Sequence, residues 1–417
     1  MKYVVAKTLL MYAGVVRLLR KKLMETRTGL SKKESTDYEA LKELARDFWQ
    51  WRAIHQPVSQ DDIPRIERPP SWVPDWSART ISERRDALNS FEARWRIIDA
   101  GDWPVPEQVD YRLIGSAIAR VRWELEVVRG HERDPHFYVD QTLGSIYLLL
   151  LQPPPFDAAR TAEIVRRMEH IPRTVQEAKL NLEKHSVRAF AGAAIEKLKD
   201  VDARLTKVAT ELEPFISEDA VGQLNVATDA AITALTEFRD WLEARLSIME
   251  KQTAVGRDSY VFFLRQVALM PFTPEQLMAM STQEWERSVA FETLEQVRNS
   301  DLPELALFPD QAAQIKREEE LEHQVREFLE AKNILTVPSW VRHYRNLPLP
   351  PYVEPLAFMG VADDLTSANR LDEDGISYIR VPSPDLDYFS LSIAKDPRPL
   401  IGHALMHDER SGIFRDR

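Results

Sequence analysis

The 417-residue chain contains no cysteine, which excludes a disulfide framework, a thiolate metal site and a cysteine nucleophile. Any metal would have to be held by histidines and carboxylates. Glycine is scarce, with 13 residues. None of them forms a G-x-G-x-x-G turn after a strand, a P-loop or a G-x-S-x-G elbow, so nucleotide binding and α/β-hydrolase chemistry find no support. No apolar run approaches the roughly 20 residues that cross a bilayer. "TLLMYAGVV", Thr8 to Val16, is cut short by Arg17, and the prolines of "SIYLLLLQPPPF" make that run a buried helix end. Short repeats and low-complexity tracts are also missing.

What is present is a soluble, helix-rich composition, 44% hydrophobic and 29% charged. The net charge of −11 argues against nucleic-acid binding. That charge is uneven. Met1 to Lys33 holds nine Lys/Arg against the single acid Glu25, a head of +8 on a body of −19. The head reads as an ordinary N-terminal extension or as a basic amphipathic helix resting on an anionic surface, so membrane contact is expected only through residues 1–33. The expected location is cytoplasmic.

Helical periodicity dominates the body. "DYEALKELARDFWQWRAI" sets Tyr38, Leu41, Leu44, Ala45, Phe48, Trp49 and Trp51 mostly on one face, with Thr36 as the expected N-cap. "QVDYRLIGSAIARVRWELEVVRG" repeats the pattern, with Gly130 as the expected C-cap. "DAARTAEIVRRMEHIPRTVQEAKLNL" reads as two helices broken near Pro172. "TPEQLMAMSTQEWERSVAFETLEQVRN" opens on an N-cap threonine, Thr273, before Pro274. "PDQAAQIKREEELEHQVREFLEAKN" is a charged helix, and its carboxylates from Glu318 to Glu320 read as a solvated face. "QPVSQDDIPRIERPPSWVPDWS" has too much proline for a helix, and Trp72 and Trp76 mark it as an ordered, packed loop. From near Leu335 the text turns Pro-rich, and "GISYIRV" and "DYFSLSI" read as short β-like runs. The fold expected is mainly α, of long antiparallel helices, with a Pro-rich C-terminal segment containing short strands. The expected divisions are a basic extension over 1–36, a helical domain over 37–334, the Pro-rich segment over 335–403 and a tail over 404–417.

Histidines are the remaining chemistry. His131 and His136 are five apart with Pro135 between them, which suits turn and packing roles; His55, His170, His185, His323 and His343 stand alone. The tail carries H-A-L-M-H, His403 to His407. Spacing i,i+4 puts two imidazoles on one helix face, within reach of one zinc ion. Spacing alone is weak evidence. A hydrolytic zinc site also needs a third ligand and a general base beside the bound water, and Ala404 is no base.

Longer strings add to this. "FWQWRAIHQPVSQDDIPRIERPPSWVPDWS", "VRWELEVVRGHERDPHFYVDQTLGSIYLLLLQPPPF" and "LPLPPYVEPLAFMGVADDLTSANRLDEDGISYIRVPSPDLDYFSLSIAKDPRPLIGH" resemble the bacterial domain of unknown function 885 family, and the likeness runs from about Asp37 to His403. That resemblance implies a helical, zinc-metallopeptidase-like protein with a cleft between helical layers. In the family the text after "DPRP" runs into H-E-x-x-P-G-H. Here it matches through Ile401-Gly402-His403 and then departs, with Ala404 in place of the glutamate. His403 carries over as a metal-ligand position; His407 does not. The resemblance therefore implies zinc in intact relatives, not held stably by this chain, and a truncated homologue without peptide hydrolysis of its own. The alternative is a non-catalytic helical module that binds a peptide or a protein. Self-association is expected if apolar surface is left uncovered.

Overall fold

The computed structural model describes residues 32–59, 66–334, 345–364, 370, 373–386 and 388–407. The apolar run Thr8 to Val16, nearly all of the basic head and the tail beyond His407 lie outside these residues. The molecule is mainly helical, and its strands lie near the C-terminus.

Helix α1 (Lys32–His55) buries Leu41, Leu44 and Phe48 on the face its periodicity marks out, but Trp49 turns to solvent, and the helix starts at Lys32, which leaves Thr36 inside it rather than at its cap. It packs on α2 (Ala78–Arg96), where Phe48 meets Phe91 edge to face at 5.4 Å. Ser77 caps α2, its side chain accepting from the Thr80 N–H. The loop between them is ordered and non-helical in its described parts, with Trp72 and Trp76 buried as their setting suggests.

Helix α3 (Val105–Arg122) runs into a π-helical turn, Trp123–Val128. The expected cap at Gly130 is displaced by one residue. Arg129 takes the left-handed conformation (φ 50°), and Gly130 opens the short helix α4 (Gly130–Arg133). The wide turn ends on an Arg129 N–H to Glu124 carbonyl bond, which fixes the reversal at Arg129. Gly130 is small for another reason, since a Cβ there would stand 3.2 Å from the Phe137 ring. Helices α5 (Pro135–Val139) and α6 (Ser145–Leu150), joined by a second π turn, are buried almost throughout.

The centre of the molecule is α7 (Ala158–Asn181) packed along α10 (Glu218–Arg245). Asp157 caps α7 through the Arg160 N–H at 2.8 Å. The break expected near Pro172 is absent and the helix is continuous. Met168, Ile171 and Val175 are buried around the proline, and each contributes about 1.5–3 kcal/mol. Together they outweigh the roughly 3 kcal/mol that an interior proline costs. On α10, Leu224, Ala227, Ala231, Leu235, Phe238 and Leu242 form the buried stripe.

Helices α8 (Arg188–Lys197) and α9 (Val201–Leu212) pack beside this pair. Beyond them lie α11 (Arg257–Phe262), α12 (Pro274–Arg298) and α13 (Gln311–Ala331). Thr273 and Gln276 form a full capping box at the start of α12, as the sequence suggests. Strands β1 (Arg345–Pro348) and β2 (Ile376–Ile379) pair in parallel, Arg345 opposite Ile376. "GISYIRV" is thus a strand. "DYFSLSI" is not; it forms α14 (Tyr388–Lys395). Its Ser390, Ile393 and Ala394 line one cavity together, a helical spacing that satisfies burial better than alternation does. Helix α15 (Arg398–His407) follows and packs on α13.

Candidate functional site

Helix α15 carries the one metal-ligand position named from sequence, His403, and its backbone is helical there. The side chains of residues 403–407 lie outside the described residues, so the site is built from what surrounds the start of α15. Asp310 caps α13 by accepting from the Ala313 N–H at 2.8 Å, and Gln311 Nε2 donates to the Ile379 carbonyl at 2.7 Å. The second of these bonds ties α13 to β2. The helix then turns a polar column inward: Gln314, Glu318, Glu322 and Arg326 are all buried.

The reading of Glu318 to Glu320 as a solvated face therefore fails at Glu318, which is only 5% exposed. Burial pushes its carboxyl up to about 7, against the opposing hydrogen bond from Gln314 Nε2 at 2.7 Å, and the charge of Asp363 adds to the rise. Glu322 is bonded to Arg326 one turn on. The Oε1 atom of Gln314 is buried without a hydrogen-bond partner. A signal for this column exists in the sequence: four polar residues at strict i+4 spacing, hidden within a run of charge.

Glu318 and Gln314 wall a cavity of about 260 Å³ with Asp363, Tyr378, Ser390 and Leu400, so β2, α14 and α15 all contribute. Asp363 is positioned by accepting from the Tyr378 N–H at 3.0 Å. A second cavity of about 800 Å³ shares Arg380, Val381 and Leu386 with the first. Its far wall is Arg204 and Lys207 of α9 with the 3₁₀ turn Glu354–Met359. There Phe358 lies under the Arg204 guanidinium at 4.3 Å, and Lys207 Nζ meets Glu354 Oε2 at 2.7 Å. Arg380 at the junction donates to the Ala357 carbonyl at 3.0 Å. The two cavities adjoin at Arg380, Val381 and Leu386, with Glu318 in the wall of one and Arg204, Lys207 and Glu354 in the wall of the other.

The described carboxylates of α13 do not make a donor set for zinc. Glu318 is held toward its protonated form and Glu322 is committed to Arg326. Among the described residues no three His, Asp or Glu side chains gather around one point. No helix among them is long and apolar enough to cross a membrane.

A family described as "Bacterial protein of unknown function (DUF885)" matches residues 68–346. No curated protein matches. Among solved structures, a candidate lipoprotein of unknown function from Shewanella oneidensis is similar, with a TM-score of 0.53 at 14% identity over 85% of this chain. The present chain spans 66% of that protein's structure. At this identity the likeness concerns the fold.

Proposed function

Since the chain belongs to the bacterial protein family of unknown function DUF885, we propose that it is a peptide-binding protein that does not hydrolyse what it binds. The observation that carries this is the groove formed by the two cavities that share Arg380, Val381 and Leu386. Its combined size exceeds that of a single small-molecule pocket and suits an extended segment. Its ends suit a peptide too. Glu318, half protonated near neutrality, donates to a peptide carbonyl or accepts from a peptide amide. Arg204 and Lys207 at the far end match acidic side chains or a terminal carboxylate.

The metallopeptidase-like half of the resemblance offers an ancestry for such a groove, with His403 as the ligand position that carries over. Hydrolysis is left out of the reading for a chemical reason. Ala404 stands where the resemblance expects the general base, and the buried carboxylates of α13 supply no zinc-binding set.

The test is binding of fluorescently labelled peptides, followed by anisotropy, to the native chain and to Leu386→Trp, which fills the shared wall. The expected result is saturable binding that the substitution weakens about tenfold or more. Equal binding by both proteins would remove the groove as the binding site.

A further inference from the structure

A separate cavity, of about 250 Å³, lies between α1, α2, α3 and the segment of α4 and α5. Three tryptophans (Trp51, Trp76 and Trp123) line it together with Val121 and Leu125. Two histidines that the sequence treats separately, His55 and His131, come together in its wall.

The unusual group in this wall is Arg84. Its side chain is buried, the residue being 5% exposed, and its guanidinium stacks 3.9 Å from the Trp76 ring. Nη2 donates to the Asp75 carbonyl at 2.8 Å, and Nε lies 3.4 Å from His55 Nδ1. Nη1 has no hydrogen-bond partner at all.

Among the described residues no carboxylate forms an ion pair with this buried cation. The nearby acids are committed elsewhere. Glu124 takes Arg52 at 2.7 Å, Asp75 accepts from the Ser77 N–H at 2.9 Å, and Glu177 binds the Trp76 N–H at 2.8 Å and Arg173 at 3.1 Å. Burial lowers the Arg84 pKa to about 10, so the group stays cationic at neutral pH. Burial likewise lowers the His55 pKa to about 4, aided by Arg84, so that neutral ring has an Nδ1 lone pair to offer. Buried His131 also lines the wall, with its Nε2 3.3 Å from Glu132 Oε1.

A buried charge is tolerated when something pairs with it. Within the described residues nothing pairs with Arg84 Nη1, and the space beside it is a cavity with aromatic walls. We propose that this cavity binds a small aromatic carboxylate, with the carboxylate on Arg84 Nη1 and the ring among Trp51, Trp76 and Trp123. A singly charged carboxylate is the occupant proposed because it balances the one guanidinium without an acid partner, Arg52 in the same wall being already paired with Glu124. The site shares no residue with the peptide groove and stands or falls independently of it.

The experiment is calorimetric titration of the full chain with phenylacetate, benzoate and indole-3-acetate, each against its neutral amide. At least one acid should bind, and its amide should bind about tenfold more weakly, as loss of a charge-assisted hydrogen bond entails. Arg84→Lys keeps a cation but loses the planar fork, and it should weaken the acid by a similar factor without unfolding the chain. Val128→Trp leaves Arg84 in place, fills the cavity and should abolish binding. Binding by none of the acids, equal binding of acid and amide, or full binding by a folded Arg84→Lys protein would each overturn the proposal.

Discussion

Glu318 shows what a single residue adds to the pattern around it. In "IKREEELEH" it is one of three consecutive glutamates, and charge runs of this kind ordinarily face water. Its burial depends on β2, α14 and α15 closing over α13 from farther along the chain, and no local property of the helix encodes that. The consequence is measurable. A carboxyl whose folded pKa is raised from 4.5 to about 7 binds more protons folded than unfolded between those values. Its contribution to stability is therefore full below pH 4.5 and declines as pH rises toward 7. Glu318→Gln removes this titration while keeping the shape. Denaturant unfolding of both proteins across that range should show the variant gaining on the native chain by on the order of 3 kcal/mol as pH rises to 8. A constant difference between the two curves would contradict the buried, titrating carboxyl. Arg84 teaches the same lesson from the opposite side: neither its burial nor its missing counter-charge is legible in "SERRDALNS".

At the scale of elements, most helices could be read in advance because period and caps agree. Ser77, Asp157, Thr273 and Asp310 each cap the helix that follows them. The misreadings arose where a local rule met tertiary packing. Pro172 breaks α7 by propensity, but Met168, Ile171 and Val175 hold the helix together against α10. Pro172→Ala should restore the missing backbone bond and raise stability by about 1–3 kcal/mol, read as a higher thermal midpoint with unchanged helical content. A lower midpoint would show that the proline's rigidity in the unfolded chain matters more than its helix defect. The run "DYFSLSI" reads as β-like, but short apolar stretches suit strand and helix alike, and here packing selects the helix. Its helical form places α14 along the groove and leads directly into α15. His403 itself was placed correctly on a helix, whereas the column on α13 that lines the same region was missed.

Across the whole molecule, the balance of covered and uncovered apolar surface is uneven. The core around α7 and α10 is tightly closed, yet α12 has no buried residue and leaves Trp285, Phe291, Leu294 and Val297 each more than 60% exposed. Exposed apolar area on this scale favours association of copies. Sedimentation velocity should show a concentration-dependent rise in mass, reduced in Trp285→Lys/Phe291→Lys; a single monomeric species at all concentrations would contradict it. The central claim concerns the groove, and it too belongs to the whole molecule, because α9, β2, α13, α14 and α15 all build it. The most direct test is mass spectrometry of a mixed peptide library incubated with the purified full-length chain, with and without added zinc. The account predicts that a subset of peptides co-purifies with the protein and that every member keeps its full mass under both conditions. Accumulating cleavage fragments, faster with zinc, would contradict it.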